Sequence, residues 1–243
     1  ACDVGQGDAL VLAAGPGRAV VVDAGPAPAA VDRCLRDLGV REVPLLVLTH
    51  PHADHVDGVP GALRGRAGGT VLPSPLSEGE ERSLVTGRTV RPAQPGQHWT
   101  VGALSLSVLG PVAMGPRVST RDPGTEVNNA SVVLVARVRG LAVLLTGDVE
   151  IEAQRALVSG VPAVHVLKVP HHGSARQDRG FLAASRARVA VISVGAENTY
   201  GHPAPATLAL LRSLGMRGYR TDLDGDVAVL NSGGRPAVVT RGS

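Results

Sequence analysis

Three histidines and an aspartate fall within six positions of this sequence, directly after an apolar run that ends at Leu48. The run is typical of a buried strand, so the polar residues come where a turn begins. His50 and His52 are two positions apart, and on extended backbone their side chains point the same way and can share one cation. Asp54 and His55 follow the bend and would face a neighbouring position. This arrangement suits two metal ions, which lie about 3.5–4 Å apart in hydrolytic pairs; a polar surface loop with several histidines is the alternative.

Other polar residues also follow predicted strands, as Asp23, Asp148, His171 and His202 do. In α/β enzymes, the functional residues commonly gather at one edge of the packed sheets. Asp23 is expected to hold the histidine loop by hydrogen bonds rather than to bind metal itself, although an ordinary turn explains it too. Asp148 stands in a Gly-Asp turn, which could cap the following helix.

The chain carries 24 basic residues, of which 23 are Arg and one is Lys168, and its net charge of +3 does not by itself indicate a nucleic-acid binder. Aromatic residues make up 2%, which leaves few platforms for stacking on bases. For a phosphoryl substrate, a fixed ammonium at Lys168 would stabilise the negative charge that spreads over the transition state. The alternative is a strand-end lysine that extends towards solvent.

The length of 243 residues and the hydrophobic content of 44% are enough for one large domain over residues 1–243. Because the chain lacks an initiator Met and starts in a predicted strand, we expect it to be part of a longer protein. The sequence contains no run of about 18 apolar residues that could span a bilayer. Cys2 and Cys34 could pair, but two separate buried thiols are the expectation.

Several motifs together carry a resemblance to a known family. His50-x-His52-x-Asp54-His55, with Asp23 before it and Thr146-Gly147-Asp148 after it, resembles the metallo-β-lactamase superfamily, whose members fold as an αββα sandwich. A narrower resemblance is to the C-terminal hydrolase domain of the ComEC family of bacterial DNA-uptake channels. It rests on Asp3-Val4-Gly5-Gln6-Gly7-Asp8, Asn128-Asn129-Ala130-Ser131, Leu144-Leu145-Thr146-Gly147-Asp148, Leu167-Lys168-Val169-Pro170-His171-His172-Gly173-Ser174 and Tyr200-Gly201-His202-Pro203.

The resemblance implies an α/β protein of the αββα type and a metal-dependent nuclease of natural transformation. Such a nuclease hydrolyses one strand of incoming DNA with a hydroxide activated by two metal ions. Its partners would be DNA, in single-stranded form, and the rest of a polytopic membrane channel. Its place would be the extracytoplasmic side of a bacterial cell membrane.

The resemblance also implies a ligand set for the two ions. His50 and His52 would hold the first metal, while Asp54, His55 and His171 would hold the second. Asp148 would bridge both metals. Asp54 would take part in catalysis as well as in metal binding.

Many members of the superfamily carry a further histidine ligand between the first cluster and the bridging aspartate, and here Asn128 or Asn129 stands in that place. An amide is a weaker and harder ligand than imidazole, which favours Mn²⁺ over Zn²⁺, with Mg²⁺ also possible. A turn before a strand is the alternative explanation of the two asparagines. The residues expected to contact substrate are Asn128, Asn129, His172 and Ser174. His202 would contact substrate or donate a proton to the leaving oxygen, unless it only forms a turn.

Two other functions fit the same residues. A metallo-hydrolase of this fold could act on a lactam, a lactone, a thioester or a phosphorylcholine ester, because the fold alone does not fix the substrate. A domain without catalysis could bind metal for structure and position DNA at a channel.

Overall fold

Two β-sheets pack face to face and carry helices on their outer faces, in a computed structural model that describes residues 1–76, 84–112 and 123–242. Apolar side chains of both sheets fill the space between them, such as Val22 and Leu45 from one sheet and Leu106 and Leu134 from the other. This is the αββα sandwich that the resemblance predicts, built as a single domain. The predicted fold class is therefore confirmed.

The first sheet has five strands in the order β1-β2-β3-β4-β5, and all of its neighbours after the antiparallel β1–β2 pair are parallel. The apolar run before His50 forms β3 at the centre of this sheet, and it is apolar on both faces because helices cover one face and the second sheet covers the other. The strands are β1 (Leu10–Gly15), β2 (Arg18–Val22), β3 (Glu42–Leu48), β4 (Ala67–Pro73) and β5 (Thr89–Val90).

The second sheet has seven strands in the order β12-β11-β10-β9-β8-β7-β6. Strands β6 to β9 form antiparallel pairs, whereas β9 to β12 are parallel. The strands are β6 (His98–Val101), β7 (Leu104–Gly110), β8 (Val133–Val138), β9 (Leu141–Leu145), β10 (Val166–Lys168), β11 (Val189–Ile192) and β12 (Arg217–Arg220).

Helices cover the outer face of each sheet, and none of those in the described part of the chain is long and apolar enough to cross a membrane. Val31 and Leu35 of α1 pack on the first sheet, while Phe181 of α6 and Leu211 of α7 pack on the second. The helices are α1 (Pro28–Asp37), α2 (Ala53–Val56), α3 (Val59–Leu63), α4 (Pro123–Asn129), α5 (Ile151–Leu157), α6 (Arg179–Ala184), α7 (Pro205–Ser213) and α8 (Thr221–Asp224).

A C-terminal hairpin and a disulfide complete the fold. Strands β13 (Asp226–Ser232) and β14 (Arg235–Arg241) pack on the part of the second sheet that the first sheet does not reach. Cys2 and Cys34 form a disulfide with a Cα–Cα distance of 6.1 Å. The expectation of two separate thiols is therefore wrong, because residues 32 positions apart in sequence meet where the N-terminal segment crosses α1.

The parallel strands of both sheets end at one edge of the sandwich. Strand β3 leads into His50, β9 leads into Asp148, and β10 leads into the turn Pro170–Gly173. The carboxyl ends of parallel strands are where open α/β sheets place their ligands. This edge therefore holds the candidate site.

Candidate metal centre

His50 and His52 form a pair at the end of β3. The Nδ1 of His50 hydrogen-bonds with the hydroxyls of Thr49 at 3.1 Å and Ser131 at 3.3 Å. These contacts leave the Nε2 of His50 facing the Nδ1 of His52 at 3.1 Å. Two imidazole nitrogens at this separation can share one cation, as their spacing in the sequence predicts.

Asp54, His55, Asp148 and His172 form a second group, which we call the carboxylate–histidine cluster. One ligand atom from each residue lies within 4.8 Å of the others. Nε2 of His172 lies 3.2 Å from Oδ2 of Asp54 and 3.2 Å from Oδ2 of Asp148. Nε2 of His55 lies 3.4 Å from the same oxygen of Asp148 and 3.7 Å from Asp54. The His50 and His55 rings are 4.1 Å apart, so the cluster adjoins the His50–His52 pair.

His172 enters this cluster, whereas the sequence assigned the metal-ligand role to His171. Both residues have left-handed backbone, with φ of 48° and 51°, which is uncommon outside glycine. The turn buries His172, and its Nδ1 donates to the carbonyl of Ser193 at 2.8 Å, which leaves Nε2 for the cluster. His171 is half-buried, and its Nε2 lies 3.8 Å from Oδ2 of Asp148. The two side chains diverge, and the second histidine is the one that points inward.

Asp23 lies behind the cluster, where the sequence placed it. It accepts hydrogen bonds at 2.7 Å from both the backbone N–H and the hydroxyl of Thr49, and at 2.8 Å from Nδ1 of His55. A carboxylate behind a ligating imidazole fixes the ring and its tautomer. Burial alone would lower the pKa of His55, but the carboxylates of Asp148 and Asp23 raise it well above its ordinary value.

Lys168 is fully buried beside Asp8, a residue to which the sequence assigned no role. Its Nζ lies 2.5 Å from Oδ2 of Asp8 and 3.4 Å from Oδ1 of Asp148, and it donates to the carbonyl of Gly147 at 3.1 Å. Burial opposes the charged form of Lys168, but the two carboxylates raise its pKa above the ordinary value. The Gly5–Asp8 motif is the sequence feature that could have indicated a role for Asp8. A Cβ at Gly7 would lie 2.1 Å from the Asp54 carbonyl oxygen, so a glycine is needed there.

Asn128 and Asn129 end helix α4 and differ in what their amides do. Asn129 uses both ends of its amide, since Nδ2 donates to Glu152 and Oδ1 accepts from the backbone of Glu150. Asn128 donates to Oε1 of Glu150 at 3.0 Å, but its buried Oδ1 accepts no hydrogen bond from the described residues. An orphaned buried amide oxygen is available to a partner that the described residues do not supply, such as a metal ion.

Glu150 is a second residue that the sequence did not single out. It accepts from Thr125 and Asn128, pairs with Arg176, and lies 3.5 Å from Nδ1 of His171. Burial would raise the pKa of Glu150, but the contacts of His171 and Asn128 and the charge of Arg176 lower it to about 2. The sequence feature that could have indicated Glu150 is an acidic residue two positions after Asp148, at the start of a helix.

Ser174 and His202 both lie beside the 170–173 turn. The Ser174 hydroxyl is buried and accepts from the backbone of Arg176, so it shapes the turn rather than the open face. The His202 ring is half-buried, 5.3 Å from that of His171. Burial and then the neighbouring charges of His171 and His172 lower the pKa of His202 to about 4, which leaves it neutral at pH 7.

The residues of the carboxylate–histidine cluster fit a divalent metal. Nε2 of His55 and Nε2 of His172 are buried, and neither makes a well-formed hydrogen bond within the described part of the chain. Their Nδ1 atoms are fixed by Asp23 and Ser193, which leaves each Nε2 free to coordinate. Ligands about 2.0–2.1 Å from a tetrahedral ion lie about 3.3 Å from one another. The distances of 3.2–3.7 Å between imidazole nitrogens and carboxylate oxygens match that spacing.

Two curated relatives resemble most of this chain. The ComE operon protein 3 of Bacillus subtilis (strain 168) is 30% identical to this chain over 199 residues. The Competence protein ComA of Neisseria gonorrhoeae is 30% identical over 196 residues. The alignments cover 78% and 79% of this chain but 25% and 26% of those proteins. The chain therefore spans about a quarter of the length of these relatives.

The comparison with solved structures and family models identifies the fold and the family. Zn(2+)-bound PqqB from Methylobacterium extorquens superimposes with a TM-score of 0.60 at 12% identity, over 88% of this chain and 85% of that chain. At that identity the likeness concerns the fold alone. The model of the metallo-beta-lactamase superfamily matches residues 2–195, which include the His50–His52 pair and the whole cluster. The chain therefore belongs to the metallo-β-lactamase superfamily, as a metal-dependent hydrolase of that fold.

Proposed function

We propose that this domain is a two-metal phosphodiesterase that hydrolyses DNA during bacterial DNA uptake. The observation that carries the proposal is the convergence of the His50–His52 pair and the carboxylate–histidine cluster at one sheet edge. The relatives named as a competence protein and as a ComE operon protein support DNA as the substrate. Lactams, lactones, thioesters and phosphorylcholine esters remain the competing substrates.

The proposed ligand set departs from the sequence-based set in one residue. His50 and His52 would hold the first ion, with the orphaned Oδ1 of Asn128 as a third ligand. The second ion would take Asp54, His55 and His172, and Asp148 would lie between the two ions. His171, which lies farther from Asp148 than His172 does, would instead contact the substrate.

The donor set favours a hard metal in the first position. Two imidazoles and one amide oxygen bind Zn²⁺ less well than three imidazoles do, and an amide oxygen suits Mn²⁺ or Mg²⁺. We propose Mn²⁺ as the working ion for that reason. The ligands of the second position, with two imidazoles and two carboxylates, suit either Mn²⁺ or Zn²⁺.

Bound ions would supply a hydroxide near neutral pH and neutralise charge on the phosphoryl oxygens. The chain's own residues prepare the site for that chemistry. Asp23 and the Ser193 carbonyl fix the imidazole rings of His55 and His172. On the open side, His171 and the neutral His202 can donate N–H groups to phosphate oxygens. Lys168 is buried behind Asp148, so we assign it to positioning that carboxylate rather than to contact with substrate.

The setting of the domain is part of the proposal. The Cys2–Cys34 disulfide fits an oxidising compartment, because thiols in the cytosol are kept reduced. We propose that the domain works on the extracytoplasmic side of the membrane, attached to the remainder of a longer membrane protein. Its length of about a quarter of its curated relatives agrees with this arrangement.

A nuclease assay across a metal series tests the proposal. Labelled single-stranded and double-stranded DNA would be incubated with the metal-free domain plus Mn²⁺, Zn²⁺ or Mg²⁺. We expect cleavage with Mn²⁺, and its loss in Asp148→Ala and His50→Ala. Glu42→Gln, which removes an exposed ion pair with Arg18, is the matched control and should cleave normally. Turnover of a chromogenic cephalosporin without DNA cleavage would establish the lactamase alternative instead. Tight metal binding without turnover of any substrate would establish a structural role.

A further inference from the structure

Three aromatic rings lead from the carboxylate–histidine cluster to the surface. The ring of the buried His172 lies 6.4 Å from that of His202, and the two planes are 27° apart. The ring of Tyr200 follows at 5.9 Å from His202, again with planes 27° apart. Tyr200 is 72% exposed. The three rings, which we call the ring column, therefore end in a flat aromatic face that is open to solvent.

The loop that carries Tyr200 is closed by one asparagine. Nδ2 of Asn198 donates to the carbonyls of Gly195 at 2.8 Å and His202 at 2.9 Å. Its Oδ1 accepts from the backbone N–H of His202 at 3.1 Å. Gly201 takes a left-handed φ of +72° that lets the chain turn back within this loop. A ring held in advance loses little freedom when a ligand stacks on it.

The exposure of Tyr200 sets it apart from the other large aromatic residues. The sequence has four of them in total. Phe181 is fully buried in the core of the second sheet, and Trp99 is half-buried. Tyr219 is half-buried with the Arg217 guanidinium over its ring at 5.1 Å. Packing therefore accounts for the other three, whereas Tyr200 presents its ring to solvent beside the metal centre.

We propose that Tyr200 is a nucleobase-stacking subsite for the DNA strand that the metal centre cleaves. This inference rests on the proposed function and names the form of its substrate. A base in a duplex already stacks on its neighbours, so a protein ring of this kind takes an unstacked base. The subsite therefore selects single-stranded DNA, and it does so for any sequence, because every base has a flat face.

The position of the ring places the stacked base on the metal-centre side of the domain. Tyr200 lies two stacking steps from His172, at the outer end of the ring column. A base on its outer face would belong to a nucleotide near the scissile phosphate, and the abasic series described below identifies which one. The ring of His171 lies 5.3 Å from that of His202, and its Nε2 lies 3.8 Å from Oδ2 of Asp148. Stacking would thus hold the strand in register for cleavage.

The test combines changes in the ring with changes in the DNA. Binding of a fluorescent, phosphorothioate-linked single strand to the Mn²⁺-loaded domain would be measured by anisotropy for the wild type, Tyr200→Ala and Tyr200→Phe. Each strand position would be replaced in turn by an abasic residue. Leu230→Ala, which shortens an exposed apolar side chain of the C-terminal hairpin, is the matched control. Thermal unfolding checks that each variant is folded.

We expect Tyr200→Ala to weaken binding about 5- to 160-fold, which corresponds to the loss of one stacked base, and Tyr200→Phe to stay within about twofold of wild type. One abasic position should weaken wild-type binding equally and remove the difference between wild type and Tyr200→Ala. Leu230→Ala should bind as wild type does.

Three results would overturn the subsite. The first is that Tyr200→Ala binds DNA as tightly as the wild type. The second is that Tyr200→Phe and Tyr200→Ala lose the same affinity, which would indicate a contact of the hydroxyl and not of the ring. A Tyr200→Ala loss that persists at every abasic position is the third. If the wild type neither binds DNA nor hydrolyses bis(p-nitrophenyl) phosphate, the proposed function fails as well. Hydrolysis of that ester by a wild type whose DNA binding ignores Tyr200 would refute the subsite alone.

Discussion

Replacing Lys168 with Met distinguishes a lysine that holds carboxylates in place from one that acts on the substrate. The side chain is 1% exposed, and its Nζ lies 2.5 Å from Asp8 and 3.4 Å from Asp148. Methionine has nearly the same length but no charge, so it would leave two buried carboxylates without their cation. Removing one partner of a buried ion pair costs about 3–5 kcal/mol of stability. We expect a loss of that size in the metal-free domain.

Urea denaturation measures the loss, with the fluorescence of Trp99 as the signal. In a separate thermal melt, the melting temperature of Lys168→Met should lie about 6–20 °C below that of the wild type. The reason is that 1 kcal/mol shifts the melting temperature by about 2–4 °C in a domain of this size. Arg18→Met is the matched control. It breaks an ion pair of 2.9 Å with Glu42 whose side chains are 43% and 38% exposed. Such a pair contributes at most about 1 kcal/mol.

A double variant sharpens the comparison. Asp8→Asn together with Lys168→Met removes both charges of the closest contact, so its cost should be smaller than the sum of the two single costs. The reasoning is refuted if Lys168→Met unfolds within about 1 kcal/mol of the wild type while the rate constant for phosphodiester hydrolysis alone falls. That result would assign the ammonium to the reaction itself, as the sequence suggested.

The charges and the disulfide around the site lead to three further expectations. Glu150 has a pKa of about 2 against an ordinary 4.5, so its contribution to stability is complete above pH 4.5 and is lost as the pH falls towards 2. In Glu150→Gln, the free energy of unfolding should therefore depend less on pH between 4.5 and 2 than it does in the wild type. Neighbouring carboxylates raise the pKa values of His55 and His172 well above 6.5. Because metals bind the neutral imidazole, each bound ion must displace protons from these rings. Titration calorimetry should therefore show that metal affinity rises with pH above 6.5 and that protons are released to the buffer. The Cys2–Cys34 bond closes a loop of 32 residues, so urea denaturation with reductant should show a loss of about 3–4 kcal/mol.

The sequence predicts the parts of the site that depend on local spacing. His50 and His52 lie side by side because they are two positions apart at the end of a strand, and His55 follows in the first turn of α2. A run of apolar residues before them is enough to place the group at a sheet edge. These contacts need no knowledge of the rest of the chain.

Contacts between distant segments could not be predicted in this way. Asp8 and Lys168 are 160 positions apart, and nothing in either local pattern shows that they meet. Glu150 gathers Thr125 and Asn128 from α4 and Arg176 from the loop after the 170–173 turn, which makes it an organiser of the site without any motif of its own. The sequence supplies the residue types, but only the packing of the two sheets supplies the pairs.

The choice between His171 and His172 depends on backbone geometry that the sequence pattern hides. An extended backbone would predict that one of them points inward, without deciding which. The turn Pro170–Gly173 adopts left-handed φ angles at both residues, and this rotation carries His172 into the cluster. Gly173 lies against Pro203, where a Cβ would approach the proline Cβ to 2.7 Å, so a neighbouring loop fixes the turn.

The single lysine in an arginine-rich chain has a geometric explanation at this site. An ammonium has three donors and no acceptor. Three acceptors surround Nζ of Lys168: Oδ2 of Asp8, Oδ1 of Asp148 and the carbonyl of Gly147. A guanidinium would bring five donors in a wider plane, and a fully buried position would leave some of them unpaired. Because Asp8 balances its charge, Lys168 can orient Asp148 through Oδ1 and still leave the negative charge at Oδ2 for the side where the imidazoles converge.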